Sequence, residues 1–498
     1  MDFIAIALPS VAFLFFLLKL VRKLRSPKRL PPGPWKLPLI GSLLHMAGPL
    51  PHRTLKDLAE KYGPLMHLQL GEISAIVVSS PEMVNEFMKT HDIAFASRPP
   101  VLAIEIVAYN RDDIAFAPYG DYWRQMRKIA TLELLSVKKV GSFSSIREKE
   151  VHNLVESISS SGSIIPIDMT EKLFGLISSV AARASFGNKC KDQDSFLELT
   201  NEIISLAGGF NIFDLFPSFK LLHRLTGMRQ KFEMMHQKVD QVFENIIKDH
   251  IQERADDTHG NDHTEDLLDV LLRLKDEGLE FPITYTNVKA VILNAFSGGS
   301  DTSSTTIEWA MTELMRNPRV MEKAQADLRE ALKGKQVVNE NDIKDLPYLK
   351  LVMKETMRLH TPLPLLVPRE CRQEVEIDGY TITVGTKIII NAWAIARDPQ
   401  YWKDPESFYP ERFEDGTVDF KGSNYEFIPF GSGRRMCPGI AFALATVELP
   451  LANLLYHFDW KLPNEMKPED LDTNEFFGAT VKKLNHLCLI ATRRTPTL

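Results

Sequence analysis

Cysteine is scarce: there are four in 498 residues, Cys190, Cys371, Cys437 and Cys488, and none forms a CxxC pair. That excludes a disulfide framework or a zinc ribbon and suits a reducing compartment. No Asn-x-Ser/Thr acceptor occurs, consistent with a chain that stays on the cytosolic side. Excess positive charge is also missing: 59 Lys and Arg against 65 Asp and Glu leave a formal net charge of -6, so no basic footprint points to nucleic acid. There is no internal repeat and no low-complexity tract, which argues against a solenoid or a disordered chain. The length alone suggests two or three domains and is ample for a large core.

Phe3 to Leu18 is almost wholly apolar, and Lys19, Arg22, Lys23, Arg25, Lys28 and Arg29 follow it. A membrane span needs about 20 residues, a length that snorkelling of Lys19 supplies. A cleaved signal peptide is the competing reading. No small-residue cleavage site separates the apolar run from the basic cluster, and positive charge on the C-terminal side stays cytosolic. Residues 1–21 therefore read as an N-terminal transmembrane anchor and residues 22–34 as a basic hinge. The hinge ends in Pro31-Pro32-Gly33-Pro34, which is stiff and cannot form helix. Residues 35–498 form the body.

Within the body, Leu65 to Val78 and Val375 to Ile390 have the alternation and glycine turns of small antiparallel sheets. Helical periodicity runs through Glu148 to Ile158, Phe196 to Leu206 and Arg229 to Glu253, and the polar Ala255 to Glu265 reads as a loop. Thr286 to Arg316 reads as one helix closed by Asn317-Pro318. Its middle, Ser297-Gly298-Gly299-Ser300-Asp301-Thr302-Ser303-Ser304-Thr305-Thr306, is a poor helix by propensity, so a loop between two helices is the alternative. The balance is mainly α with a small β region.

Near the C-terminus stands Phe430-Gly431-Ser432-Gly433-Arg434-Arg435-Met436-Cys437-Pro438-Gly439, before an apolar helix over Ile440 to Phe458. A thiolate there faces a helix N-terminus among glycines whose amides can turn toward sulfur, conditions expected to depress a thiol pKa. A buried free cysteine in a turn is the plainer reading. The pattern Phe-x-x-Gly-x-Arg-x-Cys-x-Gly resembles the haem-thiolate loop of cytochromes P450, and the resemblance covers the whole chain in family order. It is similar to plant microsomal A-type enzymes, in the branch rich in terpenoid hydroxylases.

The resemblance implies the P450 fold in one domain, with haem b bound by Cys437 as the iron ligand. Phe430 and Gly431 flank the cofactor, and Trp123, Arg127, Arg369 and Arg435 bind its propionates, with Arg98 a further member. Gly298-Gly299-Ser300-Asp301-Thr302 looks like the oxygen-activation motif, making Asp301 and Thr302 the catalytic pair that handles protons. Glu355 and Arg358, with Arg412 of the Pro410-Glu411-Arg412-Phe413 motif, would form a buried structural network. The family's substrate-contact segments place Ile104, Phe210, Phe296, Gly298, Leu363, Leu365, Phe477 and Ala479 around an apolar pocket. Thr361 departs from the proline usual in relatives at that position.

A redox partner is also implied, NADPH–cytochrome P450 reductase, which would pass electrons from NADPH. Arg124, Arg127, Lys128, Lys138 and Lys139 are its candidate docking patch, or else a solvated charged face. The expected function is monooxygenation of a hydrophobic plant metabolite, a terpenoid first, at the cytosolic side of the endoplasmic reticulum membrane. An alkaloid or phenolic is the alternative substrate. O2-independent rearrangement and a non-catalytic haem sensor or carrier are the rival functions.

Overall fold

The computed structural model describes residues 29–162, 164–187, 199–200, 202–203, 212–218, 227–256 and 265–494. The anchor, residues 22–28 of the hinge, Phe210, most of the Phe196–Leu206 stretch and the middle of the polar loop lie outside these residues.

Helices dominate the described residues, and the strands are short. In chain order, β1 (Leu65–Leu70) and β2 (Ile73–Val78) pair antiparallel, as the alternation predicts. There follow α1 (Asp121–Ile129), α2 (Met169–Phe186), the long α3 (Tyr285–Arg316) and α4 (Pro347–Leu359). The strands β3 (Arg369–Glu370) and β4 (Lys387–Ile390) complete a four-stranded sheet in the order β1-β2-β4-β3, with β2 and β4 parallel. Last come α5 (Ile440–His457) and the hairpin of β5 (Glu475–Phe477) and β6 (Val481–Lys483).

Period-two alternation gives the sheet two apolar faces. Ile76, Val78, Ile388 and Ile390 pack into one cluster, while Ala75, Val77 and Ile389 pack with Met66, Leu68 and Leu70 into another. The described end of the hinge lies on this sheet: the His67 amide donates to the Pro32 carbonyl at 2.7 Å. A side-chain carbon at Gly33 would stand 2.0 Å from the His67 carbonyl oxygen, so only glycine allows the approach.

The long helix α3 is continuous. Thr284 caps it through a reciprocal capping box with Asn287, and Asn317-Pro318 closes it. In its polar middle four hydroxyls are satisfied one turn back, Ser297 by the Leu293 carbonyl (2.6 Å), Ser300 by Phe296 (2.7 Å), Thr302 by Gly298 (2.7 Å) and Thr306 by Thr302 (2.8 Å), whereas the buried Ser303 hydroxyl has no partner. Burial against α2, α4 and α5 outweighs the weak propensity. Gly299 allows the closest approach: a side-chain carbon there would lie 3.3 Å from the Phe442 ring of α5.

Glu355 of α4 anchors the segments that follow it. The Arg358 guanidinium makes a paired contact with its carboxylate, 2.8 Å to each oxygen, and both side chains are fully buried. Arg412 reaches the same carboxylate at 3.0 Å, and the Tyr409 amide donates to it at 2.8 Å. Arg358 also donates to the carbonyls of Ala396 and Pro405, at 2.7 and 2.8 Å, so one ion pair fixes three chain segments. Thr361, the departure from proline, is buried and its hydroxyl donates to the Met357 carbonyl at 2.8 Å. That hydroxyl extends the end of α4 and is not offered to a ligand.

Glu355→Gln keeps the shape but leaves two buried guanidiniums without their counter-charge. A loss of about 3–5 kcal/mol is expected, measured as a lowered thermal unfolding midpoint or failure to accumulate folded protein. Arg412→Lys, nearer the surface, is expected to be milder.

Candidate active site

The cysteine loop closes on itself before entering α5. The Cys437 amide donates to the Phe430 carbonyl at 3.0 Å, the Gly431 amide to Ile428 at 2.9 Å and the Met436 amide to Gly433 at 3.0 Å. Gly431 and Gly433 both have positive φ, and a side chain at Gly433 would strike the Met88 carbonyl oxygen at 2.4 Å. Gly439 is the N-cap of α5. Phe430, Gly431 and Cys437 remain partly accessible although the Cys437 thiol lies deep, as expected for residues lining an internal cleft.

Burial raises the Cys437 thiol pKa, and the Gly439 amide and the Arg127 charge, which favour the thiolate as read from the sequence, only partly oppose it. Desolvation beats the local amides because it acts on the whole thiolate charge. A cation bound at sulfur reverses that balance.

Four arginines from separate segments gather beside the loop. Arg435 donates to the carbonyls of Ala96 (2.7 Å) and Ala117 (2.5 Å), and its guanidinium lies 4.0 Å from the Trp123 ring centre. Arg98 donates to the carbonyls of Ala115 (2.9 Å), Pro368 (2.8 Å) and Val367. Arg369 reaches Asp92 at 2.8 Å and the Ser432 carbonyl at 2.5 Å. Arg127 is half-buried, and its guanidinium makes no hydrogen bond to another described residue.

Burial lowers the pKa of each of these guanidiniums below its ordinary value. Burial, followed by the neighbouring Arg369 charge, pushes Arg435 down to about 9. Burial, with Arg435 and Arg369 next, holds Arg98 well below its ordinary value. Nearby carboxylates are few: Asp92 is shared with Arg369 and Arg434, while Asp113 is fully buried and pushed up to about 6 by desolvation. Mostly neutral carbonyls thus hold a surplus of buried positive charge.

Trp123 also contacts this cluster directly. Its indole N–H donates to the Ile114 carbonyl at 3.0 Å, so the ring orients Arg435 by its face. Arg98 was legible only by family analogy.

Above the loop, α3 presents Gly298 and Thr302 on an accessible side. A side-chain carbon at Gly298 would meet no atom within 4 Å, and the contact of Gly299 with Phe442 sets this stretch against the first turn of α5. Thr302 donates its hydroxyl hydrogen to Gly298, which leaves its oxygen as an acceptor. Asp301 is turned elsewhere: buried, it accepts from the Thr480 hydroxyl at 2.5 Å and ion-pairs with Lys482.

The expected pocket residues do not form one group. Ile104 and Phe296 are buried in the main helical core, while Leu363 and Ala479 remain partly accessible. Leu365 and Phe477 join the sheet-side cluster instead, and the Phe477 ring stacks on His52 at 5.9 Å. The cause is strand alternation: Glu475, two residues earlier on the same face of β5, also meets His52, at 3.1 Å. Phe210 lies outside the described residues.

The basic patch narrows. Arg127 turns inward beside Cys437, and Lys139 is tied to Glu265. Lys128 and Lys138 remain exposed, and exposed Arg124 pairs with Asp121. A separate cleft of about 460 Å³, lined by Glu148, His152, His457 and Arg493 among others, shares no residue with this site.

A thiol that a cation would ionise, buried guanidiniums short of carboxylates and a helix bared at a glycine fit an anionic, flat metal-bearing group such as haem with two propionates. The comparisons agree. The family model described as "Cytochrome P450" matches residues 31–489. The chain is 58% identical to premnaspirodiene oxygenase of Hyoscyamus muticus over 98% of this chain and 97% of that protein. It is 54% identical to germacrene A hydroxylase of Saussurea costus (98% of each chain) and 54% identical to 5-epiaristolochene 1,3-dihydroxylase of Nicotiana tabacum (98% and 97%). A solved zebrafish cytochrome P450 with abiraterone superposes with a TM-score of 0.75 at 25% identity, covering 90% of this chain and 100% of that one.

Arg127→Leu separates cofactor binding from folding, because Arg127 holds no protein partner here. The ligand-free thermal midpoint is expected to hold or rise slightly as repulsion is relieved, while haem retained per chain falls. Absorbance ratio and calorimetry on the same preparation check the two signs.

Proposed function

The chain belongs to the cytochrome P450 family and is a P450 monooxygenase, and from that premise we propose that it hydroxylates a terpenoid. The observation that carries the substrate class is near-full-length identity of 54–58% to relatives named for oxidising premnaspirodiene, germacrene A and 5-epiaristolochene. Apolar Ile104 and Phe296, with partly accessible Leu363 and Ala479, suit a neutral hydrophobic ligand held by few polar contacts.

The chemistry that bound haem supplies is the reductive activation of O2 for insertion into a C–H bond. Cys437 would hold the iron through its sulfur, and Arg98, Arg127, Arg369 and Arg435 would neutralise the propionates. Trp123 keeps Arg435 in place. Gly298 leaves room beside α3, and Thr302 offers Oγ1 as an acceptor that can hold a water or a proton donor near the reacting atoms. Asp301 would take part at the other end of the proton path, from behind the helix. Phe296 and Ile104 exclude bulk water.

Electrons would come from NADPH through cytochrome P450 reductase, whose acidic surface would meet Arg124, Lys128 and Lys138. The apolar Phe3–Leu18 stretch and the basic residues after it support an anchor in the endoplasmic reticulum membrane with a cytosolic body.

Co-expression with a reductase and a panel of terpene synthases, followed by mass spectrometry, tests the substrate class. An oxygenated terpene whose new oxygen derives from labelled O2 supports it. Turnover confined to alkaloids or phenolics overturns it, and a normal reduced-CO band with no O2-dependent product favours a carrier or a rearrangement enzyme. Thr302→Ala is expected to keep the haem-thiolate CO band while product per NADPH falls about tenfold or more; unchanged coupling would remove Thr302 from the mechanism.

A further inference from the structure

The carboxylate of Asp301 is buried in α3, yet both of its partners come from the C-terminal hairpin, about 180 residues later in the chain. Thr480, in the turn between β5 and β6, donates to Oδ2 at 2.5 Å. Lys482 of β6 brings its ammonium against Oδ1, as an ion pair without an aligned hydrogen bond. The two ends of this pair differ: the Asp301 side chain is 2% exposed and that of Lys482 is 34% exposed. The Lys482 ammonium also lies 5.7 Å from the centre of the Phe174 ring of α2.

The same few residues tie down the hairpin by its backbone. The Val481 amide donates to the Pro362 carbonyl at 2.9 Å, and the Val481 carbonyl accepts from the Trp309 indole of α3 at 3.2 Å. Lys483 sits 5.3 Å from the Trp309 ring centre. Ala479, between Thr480 and Gly478, is part of the wall assigned to the substrate pocket.

We propose that Lys482 and Thr480 are positioning residues of the reaction, which clamp the Asp301 carboxylate and the hairpin that carries Ala479 into one unit. A buried carboxylate needs a positive partner and a donor to remain charged and fixed. Thr480 supplies the donor, and Lys482 supplies the charge from the solvent side. Because Asp301 directly precedes Thr302, fixing its carboxylate fixes the register of α3 at the accessible hydroxyl. Proton handling on the helix and placement of the substrate wall are then set by the same contact. Uncoupling and altered regiochemistry should appear together when it is broken.

The inference rests on the monooxygenase reading, so its test separates the two. Full-length Lys482→Met, Thr480→Val, Lys482→Arg and Asp301→Asn are compared after confirming the reduced-CO thiolate band; loss of that band from the unsubstituted protein would sink the parent reading. The readout independent of turnover is amide hydrogen exchange of residues 475–483 in ligand-free protein. Lys482→Met is expected to speed hairpin exchange and to lower product per NADPH about threefold each, the scale of an ion pair exposed at one end. Product regiochemistry broadens at the same time. Lys482→Arg is expected to restore exchange and coupling, and Lys482→Met combined with Asp301→Asn to be no worse than Asp301→Asn alone. Thr480→Val removes only a hydroxyl and serves if Lys482→Met does not fold. Unchanged hairpin exchange overturns the clamp. Faster exchange with unchanged coupling and product pattern overturns the positioning role.

Discussion

Positive charge buried without enough negative charge governs this molecule. Arg98, Arg127, Arg369 and Arg435 reach one region from a loop, a helix, a strand and the cysteine loop. Desolvation acts on each, and the arginines also repel one another. Carbonyl oxygens satisfy their hydrogen bonds but cannot neutralise them. The same desolvation raises the pKa of the Cys437 thiol. An anionic metal-bearing group would offset both effects, since its carboxylates would pair with the guanidiniums and its metal would favour the ionised sulfur. Binding to the folded state alone then adds directly to stability.

Against that region lies a helix whose middle should be its weakest part. It stays helical because it is buried on several helices, while several of its hydroxyls are satisfied by carbonyls one turn earlier. The motif residues divide the work by direction. Gly298 and Thr302, four apart, share the accessible side, and Gly299 presses on Phe442. Asp301, one step from Thr302 and rotated by about 100°, faces the C-terminal hairpin. Neighbours in sequence thus serve different parts of the structure.

Much was legible before any coordinates. The C-terminal end of the long helix followed from Asn317-Pro318, the β1–β2 hairpin from alternation around Gly71, and the family from the cysteine loop, whereas the Thr284–Asn287 capping box emerged only in the fold. Side-chain direction is what the sequence leaves open. The family segment places Phe477 at the pocket, and the face of a short strand depends on which neighbour it meets: Glu475 and Phe477 of β5 both meet His52. Arg127 and Lys139 were counted in a surface patch by proximity in sequence, whereas one turns toward the sulfur and the other is occupied by Glu265. At Cys437 burial opposes the local amides, because burial depth is a property of everything packed around the thiol.

The sequence by itself, through its resemblance to the cytochrome P450 family, determined the chemistry: a lone cysteine among glycines, arginines at family positions, and a glycine- and hydroxyl-rich middle in a long helix. These are local, pattern-level facts. Tertiary structure alone decided which charges are buried together, which side of a strand meets the pocket, and that Asp301 answers to Thr480 and Lys482. Desolvation and pair energies depend on distances between residues far apart in the chain, which no local pattern encodes.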